Sequence, residues 1–119
     1  MLFEEVAWMN TKQTPHRWHA QLSLFSEENL GRPTRLGVFE PAREGMMDYW
    51  LENGLALCGV VLEEHDGSKS VEIILDGFTH TIRQVKRLEL LLGEEAEDGL
   101  NVIDANGMTS VLRFEENGH

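Results

Sequence analysis

This 119-residue chain is poor in cysteine, proline and basic residues, with one, three and ten of them respectively. Cys58 has no second thiol to pair with, so no intramolecular disulfide can form and the default compartment is a reducing cytoplasm. No apolar stretch approaches the ~20 residues that a membrane-crossing helix needs. Met1-Leu2-Phe3-Glu4-Glu5 lacks the basic segment followed by an apolar one that marks a secretory leader. The ten Lys and Arg stand against 21 Asp and Glu, a formal charge of −11. A field of that sign repels phosphate backbones and anionic lipid, which argues against nucleic acid and membrane as partners. Also missing are a glycine-rich phosphate loop, a Gly-x-Ser-x-Gly elbow and any pair of cysteines. Nothing in the chain calls for a cofactor.

What is present is a train of turn dipeptides. Asp66-Gly67, Asp76-Gly77, Asp98-Gly99 and Asn106-Gly107 separate runs rich in Val, Ile, Leu, Thr and Phe. Glycine supplies the positive φ that tight hairpins require, and Asp or Asn tolerates it. The runs between them often alternate apolar and polar, the pattern of a half-buried strand. Residues 55–115 therefore read as an antiparallel β-meander. Its strands are expected at Leu55–Glu63, Ser70–Asp76, Phe78–Val85, Arg87–Leu92, Leu100–Asp104 and Met108–Glu115.

The first half is read differently. Residues 1–15 are expected to form an N-terminal arm or short helix. Arg17 to Phe25 alternates, with Trp18, Ala20, Leu22 and Leu24 on one side, and predicts a first strand. Thr34–Phe39 is expected to return as its hairpin partner. The one helix is placed at 41–53. Pro41 suits a first helical turn, Gly54 after Asn53 suits a stop, and Met46, Met47, Trp50 and Leu51 have helical spacing. With 41% hydrophobic residues, residues 1–119 make a single α+β or mainly β domain. The expected architecture is a twisted antiparallel meander or partly open barrel of about six or seven strands, covered by one amphipathic helix.

The second half also carries a resemblance. Leu57-Cys58-Gly59-Val60, then Thr79-His80-Thr81-Ile82, then the run from Asp104-Ala105-Asn106-Gly107 to Leu112-Arg113-Phe114 follow one another. This order resembles a family of small bacterial domains of unknown function, over roughly residues 16–115. The resemblance implies a small β-rich bacterial domain and transfers no catalytic residue.

Chemistry-bearing clusters are sparse. His16 and His19 would point to opposite faces of a strand and cannot share one ion, and no metal site is expected. His80 shares parity with Phe78 and Ile82, which reads as a partly buried histidine bonded to a carbonyl or carboxylate. Cys58, inside the apolar run Leu55–Leu62, reads as a small buried hydrophobe. Asp104-x-Asn106-Gly107 resembles part of a calcium loop, but turn chemistry accounts for it. Arg83, Lys86 and Arg87 could hold a small anion, although a solvated ladder of ion pairs explains them as well. The leading expectation is a non-enzymatic binding or protein-interaction module, self-associating as a homodimer through the N-terminal arm and the edge of the first strand, Arg17–Phe25, with Phe3, Trp8 and Trp18 at the interface. The alternatives are a small-ligand pocket between helix and sheet, lined by Trp50, Met46, Met47, Phe78, His80 and Cys58, and a minor enzyme or metal protein that uses His80.

Overall fold

A computed structural model describes residues 10–12, 17–42, 45–91 and 99–114, with side chains over 17–40, 51–91 and 99–114. The elements run β1 (Asn10–Lys12), α1 (Trp18–Asn29), β2 (Pro33–Ala42), β3 (Gly45–His65), β4 (Ser68–Leu75), β5 (Phe78–Ile82), β6 (Val85–Leu91), β7 (Gly99–Asp104) and β8 (Thr109–Phe114). All eight strands belong to one sheet in the order β1-β6-β7-β8-β2-β3-β4-β5, and every pairing is antiparallel. The sheet curls into a half-barrel, and α1 packs chiefly on β3. The predicted class, a partly open antiparallel barrel with one helix, is the one observed.

The positions of helix and first strand were exchanged in the sequence reading. Arg17–Phe25 is not a strand: Trp18–Asn29 is the helix. Its buried residues are Trp18, Leu22, Phe25 and Asn29, a spacing of four, three and four that a helix places on one face. Ala20 and Leu24, expected to share the buried face, are exposed. The helix has no side-chain cap at Arg17, no acid in its first turn and no base in its last, so local signals give it little support. Tertiary packing holds it. It stops where Gly31 takes φ 85° and donates its N–H to the Leu57 carbonyl at 2.9 Å.

Residues 41–53 are not a helix either. Residues 41–42 end β2 and 45–53 begin β3, with Gly37 opposite Trp50, Glu40 opposite Met47 and Pro41 opposite Met46. Pro41 is tolerated because β2 pairs with β8 only from Thr34 to Phe39. Beyond Phe39 its missing N–H removes no bond to that strand. Gly54 is not a helix stop. Register slips between Pro33↔Ala56 and Arg35↔Asn53, and Gly54 has φ 97° there. That geometry is a bulge, which bends β3 and lets one strand serve two halves of the sheet. Its first part pairs with β2 and its second with β4.

The meander is also interrupted. β3-β4-β5 and β6-β7-β8 are each continuous, but β5 and β6 are not neighbours. The chain turns sharply between them at Gln84, whose φ is 55°. Trp18, Leu22, Phe25, Leu36, Leu57, Ile73, Leu75, Leu88, Leu100, Val102, Leu112 and Phe114 are among the core residues that fill the curl.

Candidate functional site

Strand β5 lies at one end of the sheet and β8 lies four strands away, yet the curl brings their inner faces together. His80 Nε2 stands 3.1 Å from the Ser110 hydroxyl. Ser110 has the parity of Leu112 and Phe114 and is 4% exposed, a single polar group on an otherwise apolar face of β8. It was legible in the sequence as the polar residue between Met108 and Leu112, and went unassigned. His80 is half-buried, and burial lowers its pKa below the usual histidine value. No carboxylate contributes to that shift, so the expected carbonyl or carboxylate partner is replaced by a hydroxyl.

A serine beside a histidine has the first two parts of a nucleophile relay. Such a relay needs a third group to orient the ring and room for a substrate at the hydroxyl. Among the described residues no other hydrogen bond to the His80 ring is present, and Ser110 is closed off. The pair therefore acts as a polar tie across the half-barrel.

The tie has a pH signature. A histidine whose pKa is lower in the folded than in the unfolded chain favours folding when neutral. Its contribution is complete above the unfolded value of 6.5 and is lost as pH falls through the lower folded value. Urea denaturation from pH 7.5 to 5 is expected to show a midpoint that declines below pH 6.5. His80→Gln should flatten that part of the profile. An unchanged slope in the variant would assign the acid sensitivity elsewhere.

Other sequence-derived candidates are dispersed. Phe78 is half-buried against the core. Trp50, Met46 and Met47 lie on β3, and their side chains fall outside the described residues. No helix stands there to make the expected pocket. Cys58 is exposed rather than buried; it falls at the register slip between Leu57 and Gly59, which turns its side chain out of the core. Trp18 is 1% exposed, so it belongs to the core and not to an interface. Phe3, Trp8 and His16 lie outside the described residues. Among the described residues no group of three metal-ligating side chains converges.

The described residues form at least two clefts. One, of about 390 Å³, runs between α1 and β6 and is lined by Leu24, Phe25, Glu28, Arg32 and Leu90 among others. The second, of about 530 Å³, lies where three chain turns meet above Trp18. Neither was read from the sequence, because each joins segments far apart in the chain. Elsewhere, turn chemistry holds. Asp104 Oδ1 accepts the N–H groups of Asn106 and Met108 at 2.8 and 3.0 Å, so this carboxylate closes its own turn. Arg87 pairs with Glu89 at 3.3 Å, two residues along the same strand rather than across strands.

No family model matches the chain, and no curated protein or solved structure is significantly similar to it. No helix among the described residues is long and apolar enough to cross a membrane.

Proposed function

We propose that this protein is a non-enzymatic interaction module that works as a homodimer, joined through the edge of β5. The observation that carries the reading is that edge. Among the described residues β5 pairs with β4 alone. The two-residue turn Asp76-Gly77 makes Leu75 and Phe78 the closing pair of the β4–β5 hairpin. Backbone bonding alternates along such a hairpin, so the N–H and C=O groups of Thr79 and Thr81 face outward. Sheets guard free edges with charge, proline or a bulge. The strand Phe78-Thr79-His80-Thr81-Ile82 has no acidic or lysine side chain, no proline and no register shift.

A second copy fits this edge. With His80 opposite His80 in an antiparallel pair, Thr79 meets Thr81 and Phe78 meets Ile82, which keeps both inner faces inward. Each protomer's Arg83 then comes beside the Asp76-Gly77 turn of its partner. Such an isologous contact closes the assembly at two chains. The interface differs from the one first expected: the Arg17–Phe25 edge does not exist, since that segment is a helix. The resemblance to small bacterial domains of unknown function supports a β-rich module, with a bacterial cytoplasm as its setting, and adds no activity. His80 supports an enzyme poorly, having a hydroxyl partner and no acid beside it.

Sedimentation velocity at tens of micromolar protein is expected to give a dimer, strengthened by added salt because two chains of charge −11 repel each other. Thr81→Pro removes an outward N–H and should yield a monomer with nearly unchanged melting temperature. Thr79→Lys, which places a charge on the edge without touching the backbone, should do the same. A wild-type monomer, or a dimer that survives both changes, overturns the proposal.

A further inference from the structure

We propose that the cleft where three turns meet binds a small organic anion through a phosphate group. This site is separate from the β5 edge and goes beyond the interaction reading.

Its walls come from three places in the chain. The β3–β4 turn and the start of β4 supply Gly67, Ser68 and Lys69, the β5–β6 corner and the start of β6 supply Gln84, Val85 and Lys86, and the β7–β8 turn supplies Ala105. The buried Trp18 borders it. The corner and the last turn are joined by the Ala105 N–H, which donates to the Gln84 carbonyl at 3.0 Å. That bond holds Gln84 at φ 55°, a left-handed conformation that residues other than Gly, Asn and Asp adopt reluctantly. Strain of this kind persists where surrounding contacts impose it, and here it sets the direction of the wall that carries Lys86. A space of about 530 Å³ is of the size that accommodates a small organic molecule.

The charge of this cleft runs against that of the chain. The protein has 21 acidic residues and only three lysines. Yet Lys69 and Lys86 both line the cleft, with Ser68 and Gln84 as further donors, and among the described residues no carboxylate lines it. Among the described acids nearby, Glu64 pairs with Lys69 at 3.2 Å and partly neutralises it, which leaves Lys86 as the principal cation. Asp104 is engaged in its own turn, and Asp66 lies in the exposed β3–β4 turn. Lys86 has no ion pair among the described residues, whereas the adjacent Arg87 is held by Glu89. A lysine acts on phosphate as a mobile point charge, and a charge-assisted bond is about twice as strong as a neutral one.

The test is a chemical-shift titration of ¹⁵N-labelled full-length protein with inorganic phosphate and with phenyl phosphate, against sodium chloride at matched ionic strength. Saturable shifts are expected at Gly67, Ser68, Gln84, Lys86 and Ala105 with at least one phosphate probe. Lys86→Gln should keep the spectrum of the folded protein and weaken that binding about tenfold, the ratio expected when one charge-assisted bond of about 1.4 kcal/mol is lost. Arg87→Gln, which removes an equal charge outside the cleft, should bind as the wild type does. Shifts no larger than those with chloride overturn the proposal. So does an unaltered affinity in Lys86→Gln, or an equal loss in both variants, which would indicate general electrostatics.

Discussion

Trp18→Ala is expected to destabilise the protein by about 3–5 kcal/mol, the range for removing a buried large aromatic side chain. Domains of this size are stable by about 5–15 kcal/mol, so the loss is a large share of the total. Trp18 is 1% exposed and stands at the first turn of α1. The helix has neither a side-chain cap nor dipole-compensating charges. Its attachment therefore depends on Trp18, Leu22 and Phe25, with Ser26 adding a bond across to β3. The Ser26 hydroxyl accepts the Val60 N–H at 2.8 Å and lies 2.8 Å from the Leu22 carbonyl. Without the indole, the first turn has no other anchor of comparable size. Urea denaturation monitored by far-ultraviolet circular dichroism measures the loss. Leu24→Ala is the control: Leu24 is 55% exposed on the same helix, and its truncation should cost about 0.5 kcal/mol or less. A loss below about 1 kcal/mol for Trp18→Ala would mean that α1 contributes little to the fold.

Phe114→Ala is expected to cost a similar amount, about 3–5 kcal/mol, for a different reason. Phe114 ends β8 and is 1% exposed. Its ring lies 5.8 Å from that of Phe25 at an interplanar angle of 39°, and the Arg32 guanidinium sits 4.3 Å above its centre. Arg32 in turn donates to Asn29 Oδ1 at 2.6 Å, and Asn29 donates to the Phe25 carbonyl at 2.9 Å. One ring thus joins the last strand to the end of the helix. Its removal leaves a cavity and takes the aromatic face from beneath a cation. In a double-mutant cycle with Arg32→Met, the coupling should be about 0.5–1 kcal/mol. A coupling near zero would reduce the contact to ordinary packing, and the destabilisation would then belong to the cavity alone.

The C-terminal strands were legible in the sequence, and the reason is local. Tight hairpins depend on a residue that accepts positive φ, and Asp66-Gly67, Asp76-Gly77 and Asn106-Gly107 mark three of them. Gly67, Gly77 and Gly107 have φ of 81°, 84° and 88°. Alternation in Val71, Ile73 and Leu75, and again in Leu88 and Leu90, then specified which side faces inward. The first half lacked such punctuation. Trp18-x-x-x-Leu22-x-x-Phe25 and Trp18-x-Ala20-x-Leu22-x-Leu24 both fit the same nine residues. Continuing to Asn29 would have favoured the helix, since Asn29 extends the 3.6-residue spacing to a fourth buried position.

The sequence by itself determined a single cysteine, an acidic surface, an antiparallel β class and the hairpins from β3 to β5 and from β7 to β8, because each follows from composition or from residues adjacent in the chain. Only the tertiary structure decided that residues 41–42 and 45–53 are strand. There the pairing of β2 with β3 outweighs a helical spacing of Met46, Met47, Trp50 and Leu51. It also decided that β5 and β6 part at Gln84, that His80 reaches Ser110, and that Lys69 and Lys86 share one cleft. These are contacts between residues distant in sequence, made when a bulged strand bends at Gly54 and curls the sheet over its core. Local periodicity contains no term for them.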